Sequence, residues 1–402
     1  MAHTLIQIIS EETMPNLLAA MAIKPERIVH LCTPAMEGAT AALERAYGQA
    51  GVKTTVITRR LGEHPGMVEL NDAVASLIGD AGDAVVNFTG GTKLMSIGAY
   101  AAATRAKVPS VYVDTAAGSF VDGLSGGGFK AFFPCGSELA RVSRQLTVNS
   151  ITTANGVERV TGGKPWKEYA PLADFLLRNP AAEQKCHDAV ADLLKKEPHN
   201  FQQAQVYYKN LYARRLAIPD AVGELAVAAG LLERRTTGFC PASKWFSKFQ
   251  GFNLSRGNVP LNLLFGPAEE ARWPFSFFNG NWWEIAVMRY FAEQGRFRDL
   301  RWSVDAGSRG GASTDMEEDI LGIDNVNLLY VSCKRGGDRA KLSRVLEDVN
   351  SSARRLGGKF AHKVLAVFVP LQGAQAKRLI NRGRELRIEL LDSNAVASVK
   401  PL

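Results

Sequence analysis

Four side chains in the last third of the chain are of the types that hydrolyse a phosphodiester: Glu284, Asp319, Ser332 and Lys334. That reaction needs a divalent cation held by carboxylates, a water to attack, and a positive group near the charge that builds on the phosphate. Asp319 falls on one expected strand, Glu317 to Ile323, and Lys334 continues its partner, Asn327 to Cys333, the two joined around Asp324-Asn325. Side chains alternate along a strand, so Ser332 and Lys334 share a face. A two- or four-residue loop sets Asp319 opposite position 330 or 332, on that same face; a three-residue loop does not. Glu284 reaches in if its helix packs across the hairpin. Glu317 shares the Asp319 face and joins Glu284 and Asp319 as a candidate metal ligand, whereas Glu318 points away. Ser332 is a poor ligand for a hard cation and could instead hold a metal-bound water. The alternative is a solvated strand face carrying ordinary charges. The basic run Lys334, Arg335, Arg339, Lys341 and Arg344 could track a phosphate backbone, or be a solvated helix face as Glu347 and Asp348 suggest.

A second group lies near the start. Asn87-Phe88-Thr89-Gly90-Gly91-Thr92-Lys93 follows an expected strand and opens an expected helix. Paired glycines let backbone approach a ligand, and a helix N-terminus offers free N–H groups to an anion. Thr89, Thr92 and Lys93 add hydroxyls and a cation. Neither GxxxxGK[ST] nor GxGxxG spacing is present, which argues against ATP hydrolysis and hydride transfer. Ser10, Asn16 and Thr33, after the first two strands, belong at the same sheet edge and could line one pocket with this loop, or simply cap helices.

Strands at Leu5–Ile9, Arg27–Cys32, Lys53–Thr58, Asp83–Phe88 and Ser110–Asp114 alternate with helices at Pro15–Ile23, Met36–Gln49, Met67–Ile78 and Lys93–Arg105. Apolar strands alternating with amphipathic helices predict a Rossmann-like parallel sheet, with ligands at the C-terminal strand ends. Glycines over 115–135 predict a hairpin or mobile loop. Residues 165–235 read as helices, at Leu172–Leu177, Ala189–Leu194 and Val222–Leu232, with Ala221–Arg235 as the late part of a winged helix-turn-helix or a plain connector. Residues 240–275 read as a linker. A helix at Asn281–Gln294, strands at Leu300–Val304, 317–323 and 327–333, a helix at Arg339–Leu356, a strand at Lys363–Val369 and a helix at Gln375–Arg384 predict a compact α/β unit. The expected domains are 1–150, 151–270 and 271–402.

Composition sets bounds. The 402 residues call for two or three domains, and 46% hydrophobic with 22% charged residues is ordinary for a globular protein. The net charge of +8 fits a polyanion partner. Cys32, Cys135, Cys186, Cys240 and Cys333 are scattered, which points to reduced thiols rather than disulfides or a zinc site. With no secretory signal at Met1–Leu5 and no apolar run long enough to span a bilayer, the cytoplasm is the expected compartment.

Taken together, Met14-Pro15-Asn16-Leu17-Leu18, the Asn87–Lys93 loop, Gly280, Trp282 and Glu284, and Asp319 with Ser332 and Lys334 resemble the CARF-domain ancillary nucleases of type III CRISPR systems. The C-terminal part resembles the PD-(D/E)xK superfamily, with Ser332 where the second acid is expected. The resemblance implies a restriction-endonuclease-like C-terminal domain and a homodimer whose paired CARF domains bind cyclic tetra-adenylate through Pro15, Asn16, Asn87, Thr89, Gly90, Gly91, Thr92 and Lys93, to which the sheet-edge reading adds Ser10 and Thr33. It implies cleavage of DNA, RNA or both, with Mn²⁺ or Mg²⁺, in antiviral defence. The competing expectation is a ligand-sensing transcription regulator whose nuclease-like domain is inactive.

Overall fold

The computed structural model describes residues 3–123, 138–196, 198, 201–250, 267–307, 316–336 and 339–400. Gly126, Gly127, Gly128 and Cys135, and residues 251–266 of the expected 240–275 linker, lie outside them, while the described flanks of that linker are mostly helical rather than irregular. The first sheet runs β3-β2-β1-β4-β5-β6: β1 (Thr4–Ile8), β2 (Arg27–Cys32), β3 (Thr55–Arg60), β4 (Ala84–Asn87), β5 (Ser110–Asp114) and β6 (Ser119–Asp122). The first five strands are parallel, and β6 folds back antiparallel on β5 as the expected hairpin. Central β1 is buried along its whole length, as a strand covered on both faces must be. The helices are α1 (Met14–Ile23), α2 (Glu37–Gln49), α3 (Met67–Ala81) and α4 (Lys93–Ala106).

Two helices follow, α5 (Glu138–Ser143) and α6 (Val148–Ala154), and then β7 (Arg159–Gly162). Here the structure departs from the expected helical segment over 151–270, because β7 pairs antiparallel with β10 and completes the C-terminal sheet. The rest of the middle is helical: α7 (Ala170–Arg178), α8 (Pro180–Leu194), α9 (Phe201–Tyr212) and α10 (Asp220–Ala228). The helix expected to reach Leu232 stops at Ala228, and a hairpin of β8 (Leu232–Arg235) and β9 (Gly238–Pro241) follows, with Leu216 bridging to Phe239. Helix, bridge, helix and hairpin are the parts of a winged helix. Then come α11 (Lys244–Gln250) and α12 (Pro267–Ser276).

The second sheet runs β14-β13-β12-β11-β10-β7, with β10 (Phe297–Gly307), β11 (Met316–Asp324), β12 (Asn327–Lys334), β13 (His362–Val367) and β14 (Ile388–Asp392). β10, β11 and β12 are antiparallel; β12, β13 and β14 are parallel. Its helices are α13 (Trp282–Glu293), α14 (Arg339–Gly357), α15 (Gly373–Leu386) and α16 (Ser393–Ala397). The sheet separates two cores. Trp283, Ile285, Trp302, Ile320 and Val331 pack with the middle helices. Leu321, Leu328, Leu346 and Leu365 pack on the other side with Leu17, Leu18 and Met21 of α1, through Val148, Ile151 and Ala154 of α6. The N-terminal and C-terminal sheets therefore share one hydrophobic core, with α6 as the wedge between them.

Candidate active site and ligand cavity

The β11–β12 hairpin turns at Asn325-Val326, with Asn325 in the left-handed region at φ +57°. Its ladder pairs Asp324 with Asn327 and ends at Ile320 with Val331. Asp319 is the first residue beyond it, in register with Ser332, and here the regular alternation assumed from the sequence breaks. Trp302 and Val304, two apart on β10, pack into different cores, with the switch at Ser303, whose φ is +53°. Where β11 splays from β12, the Cys333 N–H loses its ladder carbonyl, and the Asp319 carboxylate takes its place: Cys333 N donates to Asp319 Oδ2 at 2.6 Å. The same oxygen accepts from Ser332 Oγ at 3.2 Å and lies 3.8 Å from Lys334 Nζ. Asp319, Ser332 and Lys334 thus converge, but through a gap in the sheet rather than across a regular ladder.

Glu284 arrives from the first turn of α13, which is anchored by Trp282 and Trp283, both fully buried, the latter donating to the Ala366 carbonyl at 3.2 Å. Its Oε2 accepts from the Trp302 indole N–H at 2.8 Å. Burial first, then the negative charge of Asp319, pushes the Glu284 carboxyl up to about 8. Asp319 is raised by burial too, against the pull of Lys334, Cys333 N–H and Ser332. Two such acids resist ionising together, because burial disfavours both charges and Lys334 offsets only part of that cost. Burial also pushes the Cys333 thiol well up, so it is no nucleophile.

Glu317 behaves differently from the third ligand expected. It is exposed, accepts from Ser303 Oγ and lies 3.6 Å from Lys164 Nζ, just past β7. Among the described residues no three His, Cys, Asp or Glu side chains gather as a metal-holding group. Glu318 is buried, bonded to Tyr330 OH at 2.8 Å and Arg355 Nη2 at 3.2 Å. Of the basic run, Arg335 is committed to a bidentate pair with buried Glu183, at 2.6 and 3.0 Å. Lys334 is half-exposed and Arg344 exposed. A cleft of about 180 Å³ is lined by Glu317, Asp319, Ser332 and Lys334, with Asp348 and Ser352 of α14. Trp302 and the Cys333 amide are contributions that spacing in the sequence could not reveal, because both depend on the break in the sheet.

At the C-terminal ends of β1 to β4 lies a cavity of about 920 Å³. Ser10, Thr33, Thr89, Gly91, Thr92 and Lys93 line it. The other named residues build its wall without lining it. Asn16 is fully buried and donates to the Ile8 carbonyl at 3.0 Å. Asn87 is fully buried; its Nδ2 donates to the Pro15 carbonyl at 3.2 Å, and its Oδ1 accepts from Thr89 N and Oγ1 at 3.1 and 2.7 Å. Pro15 is buried in the first turn of α1. Gly90 is required by the chain itself, since a Cβ there would run into the Ile8 carbonyl oxygen. Gly91 has φ +81°, and a Cβ would lie 2.7 Å from Ile8 Cγ2. Thr92 caps α4, accepting from Met95 N at 3.3 Å. Glu63, His64, Pro65 and Gly66, after β3, also line the cavity; the sheet-edge rule that selected Ser10 and Thr33 points to them as well.

Fold and site together define a two-part protein, a nucleotide-sensing type of α/β domain joined to a nuclease-type α/β domain. The family model for the Card1 CARF domain matches residues 4–122, and that for the Card1-like endonuclease domain matches 269–402. The chain belongs to the CARF-domain endonucleases of the Card1 type. Among solved structures it is similar to Can2 from Sulfobacillus thermosulfidooxidans in complex with cyclic tetra-adenylate: TM-score 0.66 and 17% identity, covering 98% of this chain and 96% of that one. It is similar to VC1899 from Vibrio cholerae, with TM-score 0.70 and 15% identity over 98% and 95% of the two chains. A type III CRISPR defence DNA nuclease activated by cyclic oligoadenylate aligns at TM-score 0.52 and 16% identity; 93% of this chain covers 47% of it. No curated protein matches. At these identities the structural likenesses establish the fold.

Proposed function

We propose that this chain is an endonuclease of antiviral defence, activated by cyclic tetra-adenylate, that hydrolyses DNA, RNA or both with Mn²⁺ or Mg²⁺. The observation that carries the nuclease half is Lys334 Nζ set 3.8 Å from Asp319 Oδ2, with the Glu284 carboxyl near enough to feel the charge of both. A divalent cation fits this donor set, because two acids whose pKa values rise through burial are what such an ion would ionise and bind. When bound it would polarise the phosphate and acidify its water. Asp319 and Glu284 would hold it, with exposed Glu317 close by. Trp302 orients Glu284, and the Cys333 amide fixes Asp319. Lys334 then faces the non-bridging oxygens, and Ser332 is placed to orient the attacking water.

The sensing half rests on the 920 Å³ cavity, which joins the N-terminus of α4 to Lys93. The similar Can2 fold holds cyclic tetra-adenylate, and another similar fold is a DNA nuclease activated by cyclic oligoadenylate. Beside the cavity, Met67, Val68, Leu94 and Ile97 of α3 and α4 are apolar and exposed. Such a surface suits a second copy of the chain, so the working state is a homodimer closed over the ligand. The test is a cleavage panel over single- and double-stranded DNA and RNA, with cyclic tetra-adenylate and Mn²⁺ each present or omitted. Cutting only when both are present supports the reading; no cutting in any combination contradicts it.

A second reading, a ligand-sensing transcription regulator with an inactive nuclease-like domain, is favoured by the winged-helix parts around α10 and by Ser332. Against it, the hairpin's Arg235 is tied to Glu233 at 2.6 Å and its Arg234 to Glu224, which leaves little charge for DNA. Sequence-specific duplex binding without cleavage would favour it. For compartment, no helix among the described residues is long and apolar enough to cross a membrane.

A further inference from the structure

Part of the N-terminal cavity's wall comes from the far end of the chain. Arg354, in the last turn of α14, and Lys359, two residues past that helix, both line it. Both side chains are exposed. They meet Glu12, in the loop between β1 and α1, which lines the same cavity. The Lys359 backbone N–H donates to Glu12 Oε2 at 3.3 Å; burial raises that carboxyl, and the positive charges of Lys359 and Arg354 oppose the rise. A backbone N–H and two cations are the donor set that would hold a phosphate oxygen. The next residue along the helix turns to the nuclease site: Arg355 Nη2 pairs with Glu318 Oε1 at 3.2 Å, and Glu318 is the β11 neighbour of Asp319. Consecutive residues of one helix therefore touch the ligand cavity and the strand that carries the candidate metal ligand.

We propose that Arg354 and Lys359 of the endonuclease domain bind a phosphate of the cyclic oligoadenylate directly, in the place Glu12 now occupies, and that Arg355 passes the exchange to Asp319 through Glu318. The proposal rests on the reading of the cavity as an oligoadenylate site. Glu12 is then an internal anion that competes with the ligand for the same donors. A ligand shifts a conformational equilibrium only by binding the two states unequally, and a contact supplied by the nuclease domain itself provides that inequality.

Titration calorimetry of the full-length chain with cyclic tetra-adenylate tests this. Arg354→Ala and Lys359→Ala should each weaken binding about tenfold, as expected for a lost charge-assisted hydrogen bond. Arg354→Lys should recover part of the loss, and Glu12→Gln should tighten binding. Arg355→Gln should bind like wild type yet lose roughly tenfold or more of its ligand-stimulated cutting. Thermal melts without ligand separate these effects from unfolding. If wild type binds and Arg354→Ala and Lys359→Ala bind equally well, the contact is wrong. If Arg355→Gln is stimulated as wild type is, the transmission is wrong. If wild type itself does not bind, the reading of the cavity fails first and the proposal goes with it.

Discussion

Glu284 and Asp319 set the terms at the scale of single residues. Burial, then the negative charge of Asp319, pushes the Glu284 carboxyl up to about 8, and burial raises Asp319 above its ordinary value against the pull of Lys334. An acid whose folded pKa lies above its unfolded value gives up stability as pH rises from the unfolded value toward the folded one. For Glu284 that window runs from 4.5 to about 8. In metal-free protein, Glu284→Gln should therefore be more stable than wild type at pH 8, by on the order of 1–3 kcal/mol, while its amide oxygen still accepts from Trp302. The same variant should cut at background level, since it lacks a charge to hold the ion. Thermal melts at pH 5 and pH 8 decide the first point: a wild type that stays the more stable at both would contradict the account. Cutting by wild type should rise with pH between about 6 and 8, and its midpoint should move to lower pH as Mn²⁺ is raised, because ion and proton compete for the same oxygens. A midpoint indifferent to Mn²⁺ would remove the carboxylates from that role.

At the scale of elements, Asn87 ties the end of β4 to α1, Asn16 ties α1 to β1, and the two glycines let the turn into α4 press on Ile8 of β1. Gly90→Ala would push a methyl group into the Ile8 carbonyl, so it should cost roughly 1–3 kcal/mol by overpacking and disrupt ligand binding. A Gly90→Ala chain with unchanged melting temperature and affinity would show that the close approach is not needed. The hairpin has its own clasp. His362 is bridged by Asp324 at 2.7 Å and Glu389 at 2.9 Å, and although burial disfavours its charge, these partners raise it to about 9. A histidine with a raised folded pKa contributes stability that is full below its unfolded value of 6.5 and fades as pH rises through 9. His362→Ala should thus lower the melting temperature at pH 6 and much less at pH 10.

The sequence disclosed elements whose cause is local. β2 follows from its run of apolar and β-branched residues, α4 from its Thr92 cap, and the sheet-edge pocket from the parallel order of the strands. It hid what depends on partners far away in the chain. β7 is a four-residue strand recognisable only beside β10, the Asp319 contacts exist only because β11 leaves β12 early, and Asn16 and Asn87 resemble ligand contacts in a motif yet face inward as braces.

At the scale of the whole molecule, α6 joins two sheets into one core, and the backbone N–H of Val148 is held by the Asp299 carboxylate of β10 at 2.7 Å. Domains sharing that much buried surface should not unfold separately. Calorimetry should give one cooperative transition for the whole chain, moved upward as a unit by cyclic tetra-adenylate. Two transitions, with only the first responding to ligand, would mean the sensor and the nuclease are coupled more loosely than the shared core implies.

The most direct test of the catalytic assignment is single-turnover cleavage by wild type and Lys334→Ala, run beside a ligand titration on both. Lys334→Ala should bind cyclic tetra-adenylate as wild type does but cut at least about a hundredfold more slowly, the scale of losing one transition-state charge contact. Equal cutting by the two proteins would remove Lys334 from the catalytic role.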